Sequence, residues 1–128
     1  MYFKSDDGDF SLLCGILGDP ISFAIIRTTM RSSKSAIEIS KINQLPVSSV
    51  YKKIRRLQTL GIVVIENITI DGRSGKRIAL YRCVMKSFEL QLTEEGHPRV
   101  SYAPVTIATE VRPSNPGNNV FSVPASKE

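Results

Sequence analysis

The sequence predicts an α+β fold in which a small bundle of helices is followed by β-hairpins. Two observations carry this prediction. Apolar residues recur at helical spacing through residues 10–60, and after Gly61 they gather into β-rich runs that are separated by glycine-containing turns. A chain of 128 residues leaves room for one domain with one sizeable core.

Basic residues are concentrated in the middle of the chain. The net charge is +5, from 17 Lys and Arg against 12 Asp and Glu. Residues 27–86 hold thirteen of the basic residues and three acids, which gives this block +10, whereas residues 1–26 carry −3 and residues 87–128 carry −2. Such a block favours a polyanionic partner, and nucleic acid and an anionic membrane surface are the two obvious ones.

Membrane-spanning and secreted classes fit the sequence poorly. The longest apolar runs, such as residues 62–65, are far shorter than the roughly 18 residues of a membrane span, and the first ten residues are acidic. Cys14 and Cys83 are too few for a disulfide framework and too far apart for a local metal motif. We therefore expect a cytoplasmic protein without a signal peptide, in which both cysteines are reduced packing residues, with a Cys14–Cys83 redox switch as the open alternative.

The first two helices are predicted from apolar spacing and from a cap. A short helix ends at Gly18, and Asp19 then offers an N-cap that is followed by a proline at the first helical position. The second helix is predicted to end near Ser32. The predicted buried positions are Phe10, Leu13 and Leu17 in the first helix, and Phe23, Ile26 and Met30 in the second.

A capping box predicts the third helix. Ser35 is followed three residues later by Glu38, so the hydroxyl and the carboxylate can each accept a hydrogen bond from the backbone N–H of the other residue. This places a short helix from about Ala36 to Asn43.

The fourth helix, predicted over Val47 to Leu60, carries most of the functional argument. Its apolar residues follow one another at spacings of four, three and three, and Gly61 stands where a helix would end. These apolar residues are Val50, Ile54, Leu57 and Leu60. The remaining face has two hydroxyls near its start and four cations behind them, and its residues are Ser48, Ser49, Tyr51, Lys52, Lys53, Arg55 and Arg56.

A helix of about 14 residues spans roughly 21 Å and can enter the major groove of B-DNA. Hydroxyls near the helix start can approach base edges or phosphates, while long cations further along reach the backbone. The alternative is that the face is only solvated surface.

The run after Gly61 predicts a basic hairpin. The strands are expected over residues 62–70 and 77–84, around a glycine-containing turn at residues 71–76. The tip carries Arg73, Lys76 and Arg77. A short helix, a turn, a basic helix and a basic hairpin in this order describe a winged helix-turn-helix, with one element for the major groove and the wing, residues 71–77, for the neighbouring backbone or minor groove.

Residues 12–84 resemble the ArsR-like winged helix-turn-helix transcription regulators of archaea and bacteria. The resemblance rests on Leu17-Gly18-Asp19-Pro20 with Ile25-Ile26, on residues 35–41, and above all on residues 45–54 joined to Leu60-Gly61-Ile62-Val63. It implies that helix 47–60 reads the major groove, that the wing contacts the backbone, and that the protein acts as a dimer on paired half-sites.

Two departures from that family matter. Metal-sensing members carry a cysteine pair on the short helix before the recognition helix, and residues 37–41 here contain none, so neither a metal nor another cofactor is implied. The turn before the recognition helix commonly has glycine, whereas this chain has Asn43-Gln44, which leaves the backbone geometry of that turn open.

Beyond residue 84 the resemblance ends. Apolar and polar residues alternate on both sides of a turn at residues 94–98, which predicts a further hairpin. The predicted organisation is therefore a winged helix-turn-helix domain over 1–86, a β-hairpin extension over 87–111 and a flexible tail over 112–128. The extension is expected to pack its apolar face either on the winged helix or against a second subunit.

The sequence lacks the usual marks of catalysis. It has no phosphate-binding glycine loop and no His, Cys and carboxylate cluster, and its single histidine, His97, lies in a predicted turn. We therefore expect that the protein is not an enzyme. The prediction is a sequence-specific regulator of transcription that binds double-stranded DNA as a homodimer, with no effector indicated.

Roles follow from position on the helix and the wing. Ser48, Ser49, Tyr51 and Lys52 are expected nearest the bases, and Lys53, Arg55, Arg56, Arg73, Lys76 and Arg77 mainly on phosphates. Lys53 and Arg56 have the alternative role of bracing the fold. Two other functions stay open: a winged-helix protein-interaction module in a larger assembly, and a protein that binds nucleic acid without sequence preference.

Overall fold

The computed structural model describes residues 7–105, which form four helices and two antiparallel β-hairpins. The α+β class is therefore confirmed. The helices are α1 (Asp7–Gly18), α2 (Pro20–Thr29), α3 (Ala36–Asn43) and α4 (Val47–Thr59), and the strands are β1 (Val63–Ile70), β2 (Arg77–Cys83), β3 (Met85–Leu92) and β4 (Pro98–Pro104). The predicted tail and the end of the predicted extension lie outside the described residues.

The predicted cap of α2 is confirmed, but its predicted buried face is partly wrong. Asp19 Oδ2 accepts the N–H of Ser22 at 2.9 Å. Phe23, however, is 42% exposed and lies 5.3 Å beneath the guanidinium of Arg27. The buried positions are Ser22, Ala24, Ile25, Ile26 and Thr29, two of which are polar and so were not recognised as core.

Thr29 shows how a polar residue enters this core. Its hydroxyl donates to the carbonyl of Ile25 at 2.8 Å, one turn back along the helix, so burial leaves no unpaired group. The helix ends here, earlier than the predicted Ser32.

The α3 helix begins as predicted. The N–H of Glu38 donates to Ser35 Oγ at 3.1 Å, and the N–H of Ser35 donates to Glu38 Oε1 at 2.9 Å. At its end Gln44 takes the left-handed conformation with φ +55° and ψ +50°, which glycine adopts more readily than other residues. The N–H of Leu45 then donates to the carbonyl of Ser40 at 3.0 Å, which closes the turn into α4.

The strands form two separate two-stranded sheets. In the basic hairpin, β1 pairs antiparallel with β2, with a bulge between Ile65 and Asn67. In the C-terminal hairpin, β3 pairs antiparallel with β4. Lys34, in the segment before α3, forms a one-residue bridge to Tyr81 on the outer edge of β2.

One hydrophobic core joins all of these elements. It includes Leu13 of α1, Ile25 of α2 and Ile39 of α3, and it extends to Met85 and Val100 of the C-terminal hairpin. Strand β4 packs on α1. Part of the apolar side of the C-terminal hairpin, at Met85 and Val100, is thus buried against its own chain, while Leu92 at the far end is 64% exposed.

Candidate nucleic-acid interface

The α4 helix is amphipathic in the predicted sense. Val50, Ile54 and Leu57 are at most 1% exposed, and Leu60, which caps the helix, is partly buried. The opposite face is open. Ser48, Tyr51, Lys52, Arg55 and Arg56 are exposed, and Ser49 and Lys53 are partly exposed.

The start of α4 is held by the turn that precedes it. The side-chain amide of Asn43 donates to Thr28 Oγ1 and to the carbonyl of Ile39, both at 2.9 Å. The end of α3 is therefore tied to α2, and the orientation of α4 is fixed relative to both helices. Pro46 precedes the first turn of α4 and makes no side-chain cap; the N–H groups of Ser49 and Val50 donate to its carbonyl at 3.1 Å, and those of Val47 and Ser48 make no hydrogen bond within residues 7–105.

The end of α4 is closed by a glycine. Gly61 has φ +77°, a conformation that side chains disfavour. The N–H of Ile62 donates to the carbonyl of Leu57 at 2.9 Å, and both side chains are buried, which gives a Schellman cap with its hydrophobic contact. The helix therefore stops where the sequence predicted, and β1 begins against the core.

Lys53 stands apart from the other cations of α4. Its Nζ lies 3.5 Å from Asp19 Oδ2, and both side chains are about one-third exposed. The hydrogen bond from the Ser22 backbone, together with the charge of Lys53, lowers the pKa of the Asp19 carboxyl. Lys53 therefore links α4 to the N-cap of α2, which is the bracing role that the sequence left open for it.

The turn of the basic hairpin is ordered by a carboxylate. Asp71 Oδ2 accepts the hydroxyl of Ser74 at 2.6 Å and its N–H at 3.2 Å, and these bonds lower the pKa of Asp71. Gly75 follows with φ +72°, and its N–H donates to the carbonyl of Asp71 at 2.9 Å. This turn presents the three predicted tip cations, Arg73, Lys76 and Arg77, all of which are exposed.

One groove lies between Tyr51 of α4 and the basic hairpin. This groove of about 850 Å³ is lined by Tyr51 of α4, by Lys76 and Arg77 of the hairpin, and by the start of α3. Burial raises the pKa of Tyr81 on β2, Tyr51 raises it further, and Arg55 opposes the shift, so these side chains are electrostatic neighbours. The groove thus brings Tyr51 of α4 together with Lys76 and Arg77 of the hairpin, whereas the other predicted contact residues do not line it.

Six of the predicted contact cations have no acidic partner in the part of the chain that the structure describes. Within residues 7–105, none of the following makes an ion pair: Lys52, Arg55, Arg56, Arg73, Lys76 and Arg77. Arg82 behaves differently, because its guanidinium lies 3.4 Å from Glu66 and also donates to the carbonyl of Met30. Sequence reasoning counted Arg82 in the basic block but could not separate it from the exposed cations.

Sequence reasoning also missed a row of exposed isoleucines beside these cations. Ile65, Ile68 and Ile70 are 41%, 49% and 59% exposed. Their cross-strand partners are Tyr81, Ala79 and Arg77, so the row shares a face with an aromatic ring and a cation. The sequence signal for this row was the alternation of apolar residues in residues 63–70. Alternation predicts which residues share a face of the strand, but not whether that face is buried.

No model of a known protein family and no curated protein matches this sequence. Across residues 7–105, no group of three or more His, Cys, Asp or Glu side chains is placed to hold a metal ion. In the same range no single helix has the length and apolar character to cross a membrane, and the pair Phe10–Gly18 and Pro20–Thr29, which meets the length and hydropathy test only jointly, is bent by 92°.

Proposed function

We propose that the chain is a winged helix-turn-helix regulator of transcription that binds double-stranded DNA with sequence preference. The observation that supports this most is a set of six cations on α4 and the basic hairpin that are exposed and have no ion-pair partner among residues 7–105, beside a groove that Tyr51 of α4 shares with the hairpin. The order of elements supports the fold: α3, the turn at Gln44 and α4 form the helix-turn-helix, and β1 with β2 forms the wing.

In this proposal α4 lies in the major groove. Ser48, Ser49, Tyr51 and Lys52 occupy the first two turns of the helix, where a docked helix comes closest to base edges. Arg55 and Arg56 lie further along and contact phosphates, together with the three cations of the wing. Lys53 is assigned to the fold rather than to DNA, because Asp19 already neutralises it.

The proposal has a measurable electrostatic consequence. If the six unpaired cations contact phosphates or bases, the slope of log K against log salt should be about −5. The direct test is selection of bound sequences from a random duplex pool, followed by titration of the enriched duplex at several salt concentrations. Enrichment of a motif with this slope supports the proposal, and a palindrome with half-sites about one helical turn apart supports a dimer.

Two variants distinguish sequence-specific base contacts from nonspecific electrostatic binding. Ser49→Ala removes a hydroxyl from the exposed start of α4 and should shift the selected motif, with a lost base contact costing roughly 1–3 kcal/mol. Lys86→Ala removes an exposed cation from β3, which lies outside the proposed surface, and should leave both motif and slope unchanged. Salt-dependent binding without enrichment would instead identify a nonspecific nucleic-acid-binding protein.

The second candidate function is a protein-interaction module, and the isoleucine row favours it. Three half-exposed isoleucines on β1 form an apolar strip that phosphate contacts leave unused. The two functions differ in their response to salt, because an apolar interface depends weakly on ionic strength. Absence of any duplex binding at low salt would favour the interaction module.

A further inference from the structure

The outer edge of β2 is paired at a single residue. The N–H of Lys34 donates to the carbonyl of Tyr81 at 3.0 Å, and the N–H of Tyr81 donates to the carbonyl of Lys34 at 2.8 Å. The chain would continue as a third strand, but Ser35 caps α3 and the helix begins at Ala36. The capping box therefore turns the chain away from the sheet after one bridge.

Between this bridge and the turn of the hairpin, two residues of the edge are consequently left open. Backbone direction alternates along an antiparallel strand, so Ala79 and Arg77 turn their N–H and C=O groups to the same side as Tyr81, while Ile78 and Leu80 turn theirs to β1. Among residues 7–105, no backbone group other than Lys34 pairs with β2 on that side. Both groups of Ala79 and both groups of Arg77 are thus available to a partner strand.

The open edge runs along the groove of about 850 Å³ described above. The opposite wall is the start of α3, where Ile37 is 51% exposed. The stretch from Arg77 to Leu80 is about 13 Å long, which admits an extended segment of about four residues. The volume lies in the range of sites that hold small ligands or short peptide segments.

The outer edge of β1 is protected, and the contrast defines the site. A bulge between Ile65 and Asn67 interrupts the strand, and Asn67 Oδ1 accepts the N–H of Ile68 at 2.8 Å. Bulges and occupied N–H groups are common means by which sheet edges avoid pairing with other chains. Only β2, in the described part of this hairpin, has an edge without such protection.

We propose that the edge of β2 binds an extended segment of a protein partner by strand addition, antiparallel to β2 and in the register that Lys34 begins. The partner residue opposite Ala79 is large and apolar, because the small side chain leaves room for it and Ile37 supplies a wall. The partner residue opposite Arg77 is acidic, because directly opposed unlike charges stabilise a strand pair, and neither Arg77 nor Lys76 has an ion-pair partner among residues 7–105.

The register also fixes the order of the motif. In an antiparallel pair, the partner residue that follows by two positions lies opposite the β2 residue that precedes by two. The segment therefore reads, from N- to C-terminus, apolar residue, any residue, acidic residue, with the apolar residue nearest Lys34. This site goes beyond DNA binding and does not depend on it.

The test uses the full chain, labelled with ¹⁵N, and a synthetic seven-residue peptide with blocked ends, Thr-Thr-Leu-Thr-Glu-Thr-Thr. The matched control peptide has Lys in place of Glu. We expect the Glu peptide to shift the amide resonances of residues 77–81 and 34–37, and to bind about tenfold more tightly than the Lys peptide. Shifts confined to β1, or equal binding of the two peptides, would overturn the proposal.

Two variants address the backbone and the charge separately. Ala79→Pro removes the outward N–H without touching a hydrogen bond to β1, and should weaken the Glu peptide about tenfold through the lost backbone bond. If Ala79→Pro fails to fold, Arg77→Glu decides the matter, because it should reverse the preference between the two peptides. A free chain that sediments as a dimer, and that Ala79→Pro converts to a monomer, would show that a second copy occupies the edge and would also overturn the proposal.

Discussion

The two hairpins have similar lengths and similar alternation of apolar and polar residues, yet they serve different ends. In the C-terminal hairpin, Met85 and Val100 are buried in the core and the exposed residues are polar apart from Leu92 near the turn. In the basic hairpin only the base is buried, at Val63 and Cys83, and the isoleucines further along β1 are about half exposed. The difference arises from the neighbours, because α1 covers β4 whereas the far half of β1 stays open. One hairpin holds the domain together, and the other presents side chains.

The largest expected effect tests this division through stability. Met85→Ala should lower the free energy of unfolding by about 2–5 kcal/mol, because it leaves a cavity in the core. Ile70→Ala, on the exposed end of β1, should change it by no more than about 0.5 kcal/mol. Urea denaturation of both variants measures the difference. Comparable losses from the two substitutions would mean that the isoleucine row is covered after all.

The next effect tests the division through charge. Replacing Lys76 and Arg77 together with alanine should make the slope of log K against log salt smaller by about two units in DNA titrations. The matched change in the C-terminal hairpin is Lys86→Ala with Arg99→Ala, which removes two exposed cations and should leave the slope unchanged. Equal effects from the two pairs would show that DNA binding depends only on the net charge of the protein, and would contradict a DNA-binding surface confined to α4 and the basic hairpin.

Two adjacent lysines of α4 are expected to differ in the same way, one stabilising the fold and the other contacting DNA. Lys52→Ala should weaken DNA binding, reduce the salt slope by about one unit and leave stability nearly unchanged. Lys53→Ala should do the reverse, with a loss of up to about 1 kcal/mol of stability, because its ion pair with Asp19 is partly exposed. Parallel titration and urea denaturation check both. A smaller salt slope in Lys53→Ala would indicate that Lys53 contacts DNA.

The sequence was sufficient to predict much of this arrangement. Periodicity and caps predicted α3 and α4 closely because their signals are local: Ser35 with Glu38 at one start, and Gly61 at one end. The turn at Gln44 had no such signal. Its left-handed backbone is stabilised instead by closure onto Ser40 and by the link from Asn43 to Thr28, which is fifteen residues away in sequence.

What could not be predicted depends on contacts between distant residues. Phe23 has the helical spacing of a core residue, but the buried face of α2 includes Ser22 and Thr29, whose hydrogen bonds make their burial tolerable. Composition counts every Lys and Arg of the basic block as the same positive charge. Only the positions of Asp19 and Glu66 in the fold distinguish the cations that form ion pairs from the exposed ones. The candidate site was therefore predicted as a set of residues, and its internal division required coordinates.

The smallest expected effect concerns the pH dependence of the bracing contact. The pKa of Asp19 is lowered in the folded chain, first by the hydrogen bond from the Ser22 backbone and then by Lys53. A carboxyl whose folded pKa is depressed contributes stability above its unfolded pKa, near 3.8, and loses that contribution as the pH falls through the folded value. Asp19→Asn keeps a good N-cap but does not titrate and has no charge to offer Lys53. We expect wild type to be the more stable of the two at neutral pH, and the difference in stability to vanish once the pH falls below the folded pKa of Asp19. Urea denaturation at pH values from 7 down to about 2.5 measures this difference. A difference that persists at the lowest pH would mean that cap geometry, rather than the charge of Asp19, is what Lys53 secures.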